Sequence, residues 1–189
     1  MTTQPETHFL KPNTCAPNNP NLPVLVYRGV LPNPPSEDST TEHLTRNGWR
    51  KDGTWGHISY RHFHPNVHEC YGVFSGHSKL LLGRGQGDED GGIEVDVKTG
   101  DVIVLPAGTA HVCLESSEDP AYRYIGVYPA NGPKWRSEMG KKPVDHDRYQ
   151  QEINSVAPPP KDPVYGDDGP MTSLWKLDGT QTLSAAYAQ

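Results

Sequence analysis

Three histidines and one glutamate fall in two stretches of this chain at spacings that suit a metal ion. The first stretch runs Gly56, His62, His64, Glu69, Gly76, the pattern G-x5-H-x-H-x4-E-x6-G. The second runs Gly100, Pro106, Gly108, His111, the pattern G-x5-P-x-G-x2-H. Strand side chains alternate faces, so His62 and His64 project to one side of an extended segment. Pro65-Asn66 is turn chemistry that reverses the chain and brings Glu69 back beside them. Gly100-Asp101 and Pro106-Ala107-Gly108 bracket a strand and aim His111 inward. Three imidazoles and a carboxylate make a mixed nitrogen and oxygen set suited to one divalent Fe, Mn, Zn, Ni or Cu ion. His68 neighbours Glu69, so alternation turns it away from that face; a hydrogen-bonding role suits it better than ligation, although an irregular turn would let it replace or join Glu69. The same alternation puts Tyr60 and Tyr71 on the cavity side with Val73, and Ile58 deeper. The two tyrosines are candidates to orient a ligand, or they are core. Cys113 shares the parity of His111 and is read as a buried structural thiol. Arg84 and Arg123 are candidates to meet a ligand carboxylate, though solvation suits both better, and His8, His43, His57 and His146 are read as solvated.

The elements that must position these groups are short strands. Gly and Pro each occur 19 times in 189 residues, which favours many strands and turns over long helices. Residues 1–23, punctuated by five prolines, form an extended arm. VLVYRGV (Val24 to Val30) is the first strand. Ser39-Thr40-Thr41-Glu42 has the form of a capping box and Asn47-Gly48 of a stop, which predicts a short helix over 40–47. From Trp55 seven strand-like pieces follow: GHISYRHFH, HECYGVFSG, SKLLLGRG, GIEVDVKTG, DVIVLPAG, AHVCLES and AYRYIGVYP. Gly83 to Gly92 is a glycine-rich acidic hairpin tip, read as a solvated turn. The domain spans 24–131. Residues 132–189 form an extension packed on it by Trp135, Tyr165 and Trp175, with Pro158-Pro159-Pro160 as a stiff spacer.

Composition narrows the function. A net charge of −6 without a basic cluster argues against nucleic acid or an anionic membrane as partner. No apolar run is long enough to cross a bilayer. Three widely spaced cysteines make no disulfide framework, and the polar start carries no secretory stretch, so a cytoplasmic location is expected.

The two motifs, in this order, resemble the signature motifs of the cupin superfamily. The segments NPNLPVLVYRG, NGWRKDGTWG, HFHPNVHECYGVFSG, GDVIVLPAGTAH, IGVYPANG and DPVYGDDGPMTSLW extend the resemblance over most of residues 18–176, toward small single-domain microbial cupins. In that subgroup the first motif commonly resembles H-Y-H-S-T-x-H-E, so His68 belongs to its pattern. Glu115 stands where the second motif usually ends in Asn, which bears on local packing and not on the ligand set. The resemblance implies a mainly β, jelly-roll-like antiparallel barrel with a short N-terminal helix and extended terminal arms. It implies a metal held by His62, His64, Glu69 and His111, and a homodimer, for which an open strand such as 24–30 offers an edge. The activity it suggests is a metal-dependent enzyme on a small organic molecule, a dioxygenase first and an isomerase or decarboxylase next. A non-catalytic metal or small-molecule binding module is the reading from another class. Fold does not settle substrate.

Overall fold

The computed structural model describes residues 2–176; residues 177–189, the end of the expected extension, lie outside the described residues. In chain order the elements are β1 (Glu6–His8), β2 (Val24–Tyr27), α1 (Glu37–Thr45), β3 (Trp49–Trp55), β4 (Glu69–Ser75), β5 (His77–Leu82), β6 (Ile93–Lys98), β7 (Val102–Leu105), β8 (His111–Ser116), β9 (Arg123–Pro129), α2 (His146–Asn154) and α3 (Pro170–Leu174). The strands form two antiparallel sheets, one of order β1-β2-β7-β4-β9-β3 and one of order β6-β5-β8.

Burial explains the strand sequences. One core cluster lies between the sheets and joins Val26, Tyr71, Val73, Ile103 and Tyr124 to Leu80, Val95 and Cys113. A second cluster covers the outer face of the larger sheet and joins Leu25, Tyr27, Val104 and Val127 to Leu44, Trp49, Met171 and Trp175. Strands β2 and β7 are therefore buried on both faces and are apolar at every position. The smaller sheet has one wet face, and β6 alternates between exposed and buried as a half-buried strand must. Two packed antiparallel sheets with these crossovers make a jelly-roll-like β-sandwich.

Several expectations are corrected. The stretch 57–64 is not a regular strand: it runs beside β8 through the single bridge His62–His111 and a bond from the Cys113 N–H to the Ile58 carbonyl. Strand β3 begins six residues before the expected change of texture at Trp55; its register shift between Lys51 and Gly53 breaks the alternation that marks a strand. Helix α1 starts earlier than expected because Ser36, not Ser39, is the N-cap, with Ser39 completing the box. The 83–92 tip is not simply solvated. Buried Asp88 accepts from the Cys15 and Gly85 N–H groups and ties the tip to the arm. Strand β2 is no open edge, since β1 pairs with it, so the edge argument for a dimer through 24–30 loses its premise.

The extension is held by specific bonds rather than by apolar contact alone. Buried Asp162 accepts from the Tyr27 hydroxyl and from the Val164, Tyr165 and Met171 N–H groups. The Trp175 indole N–H donates to the Pro23 carbonyl. Helices α2 and α3 were not expected. The first begins at Asp145, whose carboxylate accepts from the Arg148 N–H. No helix of the described residues is long and apolar enough to cross a membrane.

Candidate metal centre

His111 opens β8 and Glu69 opens β4, while His62 and His64 lie on the irregular stretch between β3 and β4. The bridge from His62 to His111, with N–H to carbonyl distances of 3.2 and 2.9 Å, locks the two motif segments side by side. The turn at Pro65-Asn66 is pinned outside by the Asn66 amide, which donates to the Lys134 carbonyl and accepts from the Arg136 N–H. Gly108 sits at a φ of +88°, where a Cβ would run into the Ile153 side chain of α2. That close approach fixes the turn that carries the chain into His111.

The imidazoles converge. One nitrogen from each of His62, His64 and His111 lies within 4.8 Å of the others, and all three residues are buried. Their ring centroids are 4.3 Å (His62–His111), 5.1 Å (His62–His64) and 5.7 Å (His64–His111) apart. Each Nδ1 is within hydrogen-bonding distance of a backbone carbonyl: Tyr60 at 3.2 Å for His62, Arg136 at 2.9 Å for His64, Thr109 at 2.9 Å for His111. Donation from Nδ1–H to these carbonyls leaves each Nε2 lone pair free, the tautomer a metal ligand needs. Burial holds all three imidazoles below their ordinary pKa and therefore neutral.

Glu69 reaches the same point. Its Oε2 lies 3.5 Å from His64 Nε2 and 3.3 Å from His111 Nε2. These are not ion pairs, because the imidazoles are neutral and burial pushes the carboxyl up to about 7. The other oxygen, Oε1, accepts from the Tyr128 hydroxyl at 2.5 Å. Glu69 Oε2 and His111 Nε2 are both buried without a hydrogen-bond partner. Two such orphans facing one another are costly unless something bridges them. A divalent cation accepting four donors is the group that fits: three neutral nitrogens and one carboxylate oxygen satisfy it and are satisfied by it.

A cavity of about 50 Å³ adjoins His62, His64 and Glu69. Tyr60 and Tyr71 line it, as does Ile58. Tyr71 is buried 5.9 Å ring to ring from His111, whereas Tyr60 stands at the rim, 49% exposed. His68 is elsewhere. It is fully buried on the other side, its Nδ1 accepting from the Ala107 N–H and its ring 4.8 Å from that of Trp175. It faces no part of the cavity and fixes the turn before Gly108 from behind. A larger cleft of about 400 Å³ opens beyond His68, walled by Pro158, Pro159 and Pro160, which thus pack on the domain rather than space it. It holds no cluster of ligating groups. Arg84 donates to the Gly91 carbonyl in its own loop, and Cys113 is buried in the core.

Sequence reasoning missed Tyr128, Trp135, Tyr124 and Trp55, which also line the cavity. Tyr128 was findable: it shares parity with Tyr124 on β9, the strand paired to β4. Trp135 was placed in the extension as a packing residue, and only the fold brings its ring to 5.5 Å from His64.

Fold and site together define a two-sheet, jelly-roll-like β domain with a buried histidine cluster fit for one divalent ion. No family model matches the chain. The Bacillus subtilis (strain 168) protein YjlB, described as uncharacterized, is 29% identical over 176 residues, which cover 93% of this chain and 99% of that one. Among solved structures, a variant of Bacillus subtilis oxalate decarboxylase aligns with a TM-score of 0.38 at 15% identity over 63% of this chain and 28% of its own. A DUF861 family protein from Thermotoga maritima aligns with a TM-score of 0.33 at 16% identity, over 55% of this chain and 96% of its own. Procruciferin, an 11S globulin of Brassica napus, aligns at 0.32 and 15% identity over 60% of this chain and 22% of its own. The chain thus spans under a third of the length of the decarboxylase and the globulin.

Proposed function

We propose that this chain is a metal-dependent enzyme of the oxygen-using type, acting on a small organic molecule at the cavity beside His62, His64, Glu69 and His111. The observation that carries the reading is the common set of the three imidazoles: every Nδ1 is anchored to a carbonyl, and every Nε2 is left free. That is a prepared ligand set, and a purely structural histidine cluster has no use for it. When bound, a divalent ion there supplies Lewis acidity and open positions for oxygen ligands. The chain's own side chains do the rest. Tyr128 holds one oxygen of Glu69 so that the other faces the imidazoles. Trp55, Tyr71 and Tyr124 line the inner wall and exclude water, which strengthens every electrostatic interaction within.

The test is to load chelator-treated protein anaerobically with Fe(II), admit oxygen, and follow its uptake with a panel of small diols and enediols. Substrate-dependent uptake that disappears in His111→Ala is the expected result. Turnover with Mn(II) or Zn(II) and no oxygen uptake would replace the oxygenase reading with isomerisation or decarboxylation. Tight metal binding with no turnover on any ion would leave a binding module.

A further inference from the structure

The charges around the cavity restrict what it takes in. Its wall consists of Trp55, Ile58, Tyr60, Tyr71, Tyr124, Tyr128, Trp135 and Ser137 around the ligating groups, without a lysine or arginine. The three cations next to its lining residues in sequence are committed elsewhere. Arg61 donates to the Gly85 and Asp88 carbonyls. Arg136 pairs with Glu138 and Glu152. Lys134 pairs with Asp52 and lies over the Trp135 ring, 4.9 Å from its centroid. A ligand carboxylate or phosphate buried here would therefore meet no counter-charge beyond the metal, at a cost of several kcal/mol. A divalent ion with Glu69 carries a net charge of +1, which one negative charge neutralises and two overshoot.

Shape points the same way. About 50 Å³ admits only the chelating end of a ligand. The remainder must lie at the rim, where Tyr60 exposes an aromatic ring 5.1 Å from His62 and Trp135 places another 5.5 Å from His64. An exposed tyrosine beside a ligating histidine has no packing role of its own. The Trp135 indole N–H is buried and has no hydrogen-bond partner among the described residues. Aromatic rims also attract organic cations, but the positive charge of the loaded site repels them.

Resting on the metal reading above, we propose that the site selects a planar, uncharged or singly ionised oxygen chelator of the catechol or enediol class, stacked on Tyr60, and that it rejects dicarboxylates and phosphates. The probes are 4-nitrocatechol, oxalate and inorganic phosphate, titrated into protein loaded with Zn(II), which permits binding without redox turnover. Chelation is followed by the visible band of the catechol and by calorimetry, and bound zinc is assayed in the same samples. The expected result is binding of 4-nitrocatechol at least tenfold tighter than oxalate or phosphate. Tyr60→Ala is expected to weaken the catechol at least fivefold and leave oxalate unchanged. Oxalate or phosphate binding as tightly as the catechol, with zinc retained, overturns the proposal while the metal reading stands. So does an unchanged catechol affinity in Tyr60→Ala. Protein that takes up no zinc overturns both.

Discussion

At Glu69 a proton and a cation compete for one carboxylate. Burial pushes its pKa up to about 7, while the hydrogen bond from the Tyr128 hydroxyl pulls against that rise. Without a cation, the raised value favours the fold fully below pH 4.5, and that contribution is lost as pH rises through about 7. The lowered imidazoles act in the opposite sense: their contribution is present above their ordinary value and lost in acid. At pH 6 Glu69 is mostly protonated, so cation binding must expel its proton. Calorimetry in buffers of different ionisation heat is expected to show about one proton released per ion at pH 6 and almost none at pH 8. Tyr128→Phe removes a bond that stabilises the carboxylate, so the midpoint of that release is expected to move to higher pH, with weaker binding at pH 7. An unmoved midpoint would mean that Tyr128 does not orient Glu69. The ligand residues were legible because their types and spacing carry the chemistry. Tyr128 and Trp135 were not, because a tyrosine in a strand and a tryptophan in a tail look like core until the fold places them.

The elements matter to the site through a few close approaches. At Gly108 a side chain would be strained by the positive φ and would strike Ile153. Gly108→Ala is expected to cost about 2–4 kcal/mol in denaturant unfolding, from backbone strain and overpacking together. Adding Ile153→Ala should recover the overpacking part and not the strain. Full stability in the single variant would contradict the close packing of α2 on this turn. Gly72 plays a related part in β4, where a Cβ would meet Thr40 and Leu44 of α1 at 2.6 and 2.9 Å. Element type was readable where burial writes a pattern, as in the alternation of β6. It was lost where the pattern is broken: β3 carries a bulge at Lys51/Gly53 and no clear period. The stretch 57–64 has β-rich composition, but its backbone is committed to single bridges that aim side chains rather than extend a sheet. Helix α1 was found three residues out of place because two overlapping serine-led boxes compete, and the one following Pro35 wins.

At the scale of the whole molecule, a two-layer sheet is wrapped by segments that the sequence shows only as proline-rich polar chain. Strand β1 closes the edge of β2, Asn18 anchors the arm by donating to the Lys11 and Gly83 carbonyls and accepting from the Ala110 N–H, and Asp162 clamps the extension to Tyr27. The Asn18 bonds to Gly83 and Ala110 and the Asp162 bond to Tyr27 join residues 65 to 135 positions apart, and no local propensity encodes such partners. They nevertheless serve the centre, since Ala110 precedes His111 and the extension brings Trp135 to the rim. The account stands on four side chains holding one ion, and equilibrium dialysis against Mn(II) or Zn(II) followed by elemental analysis tests this most directly. About one ion per chain in the parent protein, and a small fraction of that in His62→Ala and His111→Ala variants that keep the parent's unfolding midpoint in the absence of metal, is the expected result. Parent protein that retains no ion, or variants that retain as much as the parent, would contradict it.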